Sequence, residues 1–157
     1  MTTAPDLTDE QAERRCWMSV LARADRTALD AAWKARQDHP DFAWVRRPET
    51  GMTMVRGRAG GSGRRFNLGE MTVTRCALRL DGDILGVAYV RGRDHRHCEL
   101  AALFDAMLQD PKRRDDIKQD VIRPLARAHG ERRQEAERKT AATRVDFFTM
   151  ATGREAP

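Results

Sequence analysis

The chain has 157 residues, 40% of them hydrophobic, which is enough for one moderate core and hardly for two. No run approaches the roughly 18 apolar residues of a membrane span, and MTTAPDLTDEQAERR is polar where a signal peptide needs an apolar stretch, so the reading is a cytoplasmic protein that contacts no membrane. The net charge of +5 is carried by residues 112–144, where 11 lysines and arginines stand against 6 carboxylates, and such a patch attracts an anionic substrate, a phosphate backbone or an acidic partner alike.

Thr8 followed by Gln11 forms a capping-box pattern, and Cys16, Trp17, Val20, Leu21 and Ala24 then repeat at helical spacing, so a first helix is predicted here. Asp25 caps a second helix with Leu29, Ala32 and Trp33 on one face, stopped by the sequence His-Pro-Asp at 39–41. From Phe42 the pattern turns to short β-type runs. FAWVRR at 42–47 and MTMVRGR at 52–58, separated by Pro48 and Gly51, predict a hairpin. RAGGSGRR at 58–65 is too rich in glycine to continue a strand and reads as a mobile or tight loop.

Strands are expected to resume at 71–80, with Thr74, Cys76, Leu78 and Leu80 on one side and Val73, Arg75, Ala77 and Arg79 on the other. Asp81, Gly82 and Asp83 make a turn into ILGVAYV at 84–90, whose unbroken apolar character predicts a strand covered on both faces. Asp94 caps a helix in which Leu100, Leu103, Phe104, Met107 and Leu108 share a face and cover the sheet. After Pro111 a further helical stretch places Ile117, Val121 and Leu125 on one stripe, interrupted by Pro124 and weakened at Gly130. Residues 131–144 favour helix but have little to bury, and they end in the apolar Val145, Phe147, Phe148 and Met150.

The expected architecture is α+β: two N-terminal helices, an antiparallel sheet of about four strands, a covering helix and an extended helical C-terminal arm. Residues 1–110 form the core domain, and 111–157 the arm with its docking segment.

Gly60, Gly61 and Gly63 allow backbone N–H groups to converge, and Arg58, Arg64 and Arg65 add charge, so this loop is a candidate anion site. The alternative is a plain surface hairpin loop. It lacks the GK[ST] ending of a phosphate-binding loop and precedes a strand. His95, His97 and Cys98 do not make a metal site, since residues two apart on a helix face apart, and Asp94 with His97 reads as a capping contact or a partner-facing pair. The three cysteines, Cys16, Cys76 and Cys98, read as reduced thiols. No nucleophile arrangement is present, so no catalytic residue is assigned. The basic arm lacks interleaved aromatics, which argues against nucleic acid. Val145, Phe147, Phe148 and Met150 are expected to dock on another surface, a neighbouring chain or their own domain.

Three stretches together resemble the PhnG family of the bacterial carbon-phosphorus lyase system: RPETGMTMVRGRAGGSGRRFNLGEMTVTRCALRL at 47–80, LGVAYVRGRDHRHCELAALFDAML at 85–108, and TRVDFFTM at 143–150. CWMSVLARA at 16–24 has the same character. The resemblance implies alkylphosphonate catabolism, in which PhnG, PhnH and PhnI with an ATPase replace the adenine of ATP by a phosphonate to give a ribose 1-phosphonate 5-triphosphate. It further implies a symmetric core with PhnH, PhnI and PhnJ, the nucleosidase chemistry lying in PhnI, which is the most direct neighbour, and a second copy of this chain within reach. ATP and Mg are then substrate of the complex, and this chain holds no cofactor itself.

Overall fold

Thr8 opens the first helix: its Oγ1 accepts from the Gln11 N–H at 3.3 Å while the Gln11 Oε1 accepts from the Thr8 N–H at 3.0 Å. The computed structural model describes residues 7–142. Among them, α1 (Asp9–Arg23) and α2 (Arg26–Ala35) precede strands β1 (Phe42–Arg58), β2 (Arg65–Leu80) and β3 (Leu85–Arg91). Then follow α3 (His95–Gln109), α4 (Pro111–Ile117), a π-helical stretch (Lys118–Ile122) and α5 (Arg123–Ala142). The α+β expectation holds, with three strands rather than about four.

The strands form an antiparallel sheet in the order β1-β2-β3. The hairpin expected at 48–51 is not formed, because β1 runs unbroken through Pro48 and Gly51. β1 is an edge strand, and its pairing with β2 shifts register between Arg46 and Glu49, so the missing N–H of Pro48 falls at an irregularity of the ladder. β2 likewise begins at Arg65, six positions before the predicted start at 71. Its facing is as expected, with Thr74, Cys76, Leu78 and Leu80 buried.

β3 is not covered on both faces. Gly86, Ala88 and Val90 are buried while Leu85 and Tyr89 are exposed, because among the described residues the helices pack on one side of the sheet. The helix that lies there is α3, which is more than a cover. Its residues Leu100–Leu108 are buried on every side, against the sheet below and α1, α2 and α4 above. Each fully buried leucine or phenylalanine there contributes about 1.5–3 kcal/mol. Gly86 lets α3 come this close, since a Cβ at that position would stand 2.1 Å from the Ala102 carbonyl oxygen and 2.8 Å from the Ala106 Cβ.

From the end of α4 onward the predicted stripe is buried at Ile117, Val121 and Leu125. The π-helical stretch just before Pro124 absorbs the hydrogen bond that proline cannot make, and α5 then continues through Gly130. Residues 131–142 are exposed throughout and are held by ion pairs along the helix, among them Arg133 with Glu137 at 2.8 Å and Arg138 with Glu135 at 2.9 Å.

Candidate functional site: an arginine-tipped ribbon

β3 ends opposite Val73, where Arg91 is its partner. Past that point β1 and β2 continue as a two-stranded ribbon, paired from Gly51 with Val73 out to Arg58 with Arg65. The glycine-rich loop is the turn at its tip. Gly60 and Gly61 have φ of 57° and 79°, in the left-handed region that suits glycine. The Gly63 N–H donates to the Ala59 carbonyl at 2.9 Å, and a Cβ on Gly63 would meet that oxygen at 2.8 Å. The glycines are therefore accounted for by the turn itself. The Arg58 guanidinium closes it by donating to the Gly63 carbonyl at 3.0 Å.

The structure brings all five candidate residues, Gly60, Gly61, Gly63, Arg64 and Arg65, to this one turn. Arg58 and Arg65 are direct cross-strand partners, an arrangement of like charges that opposes pairing. Arg56 lies two residues from Arg58 on the same face. The side chains of Arg56, Arg64 and Arg65 are exposed and have no hydrogen-bond or ion-pair partner among the described residues. Sequence reasoning did not include Arg56, although the β-period of two, read from Arg58, would have found it.

The ribbon also carries apolar side chains. Met52 and Met54 share the face of Arg56 by alternation, and Met52 is 71% exposed. On the other face Phe66 and Leu68 lie over Gly57, 3.8 Å from where its Cβ would be, and Leu68 is 65% exposed. At the ribbon's root the Glu49 carboxylate takes Arg75 Nε at 2.7 Å and Arg46 Nη1 at 2.9 Å. The hydrogen bond from Arg75 holds the Glu49 carboxyl below its ordinary value.

The other sequence candidates have local partners. Asp94 caps α3, its Oδ1 accepting from the His97 N–H at 2.9 Å. The His95 ring lies 3.2 Å from Thr50 Oγ1, and the buried His97 ring is 2.8 Å from the Leu21 carbonyl. Among the described residues no group of histidine, cysteine and carboxylate side chains could hold a metal ion. Cys76 and Cys98 are buried with their sulfurs 3.3 Å apart, and the bond to Cys76, aided by burial, pushes the Cys98 thiol far up. Val145, Phe147, Phe148 and Met150 lie outside the described residues.

One polar residue escaped the sequence reading. Asp105, in the middle of the buried α3, receives Arg14 through Nε at 3.1 Å and Nη2 at 2.8 Å, Trp17 Nε1 at 2.9 Å and the Val87 N–H at 3.0 Å. A lone carboxylate inside the apolar run LAALFDAML was its signal. With both oxygens engaged, it joins α1, α3 and β3.

The family described as Phosphonate metabolism protein PhnG matches residues 12–153. The chain belongs to the PhnG family. A relative in Rhizobium meliloti (strain 1021), the alpha-D-ribose 1-methylphosphonate 5-triphosphate synthase subunit PhnG, is 46% identical over 144 residues, covering 92% of each chain. The matched residues take in the whole ribbon and all of α3. Among the described residues no helix is long and apolar enough to cross a membrane.

Proposed function

We propose that this chain is a non-catalytic subunit of a cytoplasmic synthase in alkylphosphonate catabolism, in which adenine is displaced from ATP by a phosphonate. The product is a ribose 1-phosphonate 5-triphosphate, made together with PhnH, PhnI and an ATPase, within a core that also holds PhnJ. PhnI is the most direct partner, and ATP with Mg is substrate of the complex rather than a cofactor of this chain. The reaction gathers a triphosphate and a second anion around one carbon, and that charge must be neutralised before the phosphonate approaches. The ribbon tip supplies the neutralising charge, with Gly60, Gly61 and Gly63 shaping the turn and Arg64 and Arg65 facing the anions at the boundary with PhnI.

The observation that carries this reading is the uncompensated arginine pair Arg58 and Arg65, with Arg64 beside it, on an exposed tip. Like charges placed face to face weaken a hairpin by themselves and gain when an anion joins them. In the assembled complex, Arg64→Ala with Arg65→Ala should raise the apparent KM for ATP or phosphonate by roughly 5- to 10-fold, about 1–1.4 kcal/mol. Size measurement checks that assembly is kept. Unchanged kinetic constants in an intact complex reject the role of the tip.

The exposed Met52, Met54, Phe66 and Leu68 favour a second reading, in which the chain is a structural clamp for the nucleosidase PhnI and touches no substrate. The body 1–110 would then seat a partner while the arm 111–157 grips it, through Val145, Phe147, Phe148 and Met150, or pairs with a second copy. Truncation after Thr143 should strip the co-purifying partners if this is so. A truncated chain that still assembles fully removes the clamp.

A further inference from the structure

Roughly 25 Å of strand from the ribbon tip, a cleft of about 560 Å³ opens where the end of α1, the end of β3, the first turn of α3 and α5 meet. It is lined by Ala22, Arg23, Ala24, Arg91, His97 and His129. Two arginines and two histidines thus line one concavity, and among the described residues no carboxylate does.

Acids close in sequence to its lining are committed elsewhere: Glu99 pairs with Arg96 and Glu131 with Arg127, both at 2.9 Å. Asp94 holds the His97 N–H at 2.9 Å and Arg26 Nε at 3.3 Å. Asp25 accepts from the Thr27 N–H at 2.8 Å and the Ala28 N–H at 3.3 Å, and its bonds to Thr27 keep its carboxyl below the ordinary value. Arg23 bonds only to Ser19, within its own helix. The side chains of Arg91 and His129 have no hydrogen bond or ion pair among the described residues. The His97 ring donates from Nε2 to the Leu21 carbonyl, which fixes its orientation and leaves Nδ1 without a partner among the described residues.

We infer that this cleft binds a phosphoryl or phosphonyl oxyanion, gripped by Arg23 and Arg91 and flanked by His97 and His129. Guanidinium forks match the oxygens of a tetrahedral anion in pairs, and an imidazole adds a donor when the nitrogen facing the anion carries a proton. The volume falls in the range of about 300–1,000 Å³ of small-molecule sites and exceeds what a bare tetrahedral anion fills, so a sugar or nucleoside attached to the anion also fits. The concave shape selects a small ligand over the flat surface of an acidic protein. This site stands on its own residues and does not depend on the ribbon tip.

Isothermal titration of the full chain with inorganic phosphate, methylphosphonate and ATP, at constant ionic strength with chloride as control, tests it. At least one of the three should bind saturably. Arg91→Ala with His129→Ala should weaken that binding by roughly 10-fold or more, the size of one lost charge-assisted bond. Arg133→Ala, on the exposed stretch of α5, should leave it unchanged. Arg91 is exposed and His129 half-buried, so the double variant is expected to fold, and a circular dichroism melt verifies this. Saturation by phosphate and methylphosphonate assigns recognition to the oxyanion alone, and saturation by ATP only adds the nucleoside. No saturable binding by any of the three overturns the site. So does binding that survives in the Arg91 and His129 variant, or that is lost on Arg64→Ala with Arg65→Ala instead.

Discussion

At Gly86 a hydrogen stands where any side chain would strike the backbone of α3 at Ala102. The contact is with main chain in a buried helix, so neither side can give way cheaply. Gly86→Ala should therefore lower stability by about 1–3 kcal/mol or more, the cost of overpacking, and drop the melting temperature by several degrees. Gly130→Ala is the contrasting change: nothing lies within 4 Å of its Cβ position, and it sits inside α5. There the swap should stabilise by up to about 1 kcal/mol through helix propensity. Equal melting temperatures for the two variants would contradict the close approach at Gly86. Asp105 shows the opposite economy, a buried charge kept because four donors from Arg14, Trp17 and Val87 meet it.

The helices were legible in the sequence because their signals are local: Thr8 with Gln11, Asp25 and Asp94 all cap as read. The strands were harder. Pro48 and Gly51 look like a turn in isolation, and only the position of β1 at the sheet edge, with a register shift between Arg46 and Glu49, lets the strand pass through them. The hydrophobicity of β3 suggested burial on two faces, yet it cannot reveal on which side of the sheet the described helices stack. The glycine loop was placed correctly as a turn carrying Arg64 and Arg65, since those residues are contiguous. The cleft residues Arg23, Arg91, His97 and His129 come from four elements, and no spacing rule joins them.

Across the whole molecule the packing is lopsided. α3 is enclosed between the sheet and the other helices, whereas among the described residues the ribbon beyond Val73 has neither a third strand nor a helix behind it. A two-stranded hairpin is marginal on its own, so its backbone bonds should open locally at a cost far below the roughly 5–15 kcal/mol of global unfolding. Hydrogen exchange on the isolated chain should then show residues 52–58 and 65–70 exchanging at least about 100-fold faster than 74–80 and 97–108, since each 1.4 kcal/mol of opening energy is a factor of ten. In the assembled synthase the ribbon should slow markedly, because both readings of its function end its isolation, by anions at the arginine tip or by a partner on Met52 and Leu68. Slowing confined to the tip would favour the anion role, and slowing along the whole ribbon the clamp. Uniform protection of β2 from end to end in the isolated chain would mean that the ribbon is already covered, and both readings would lose their structural basis.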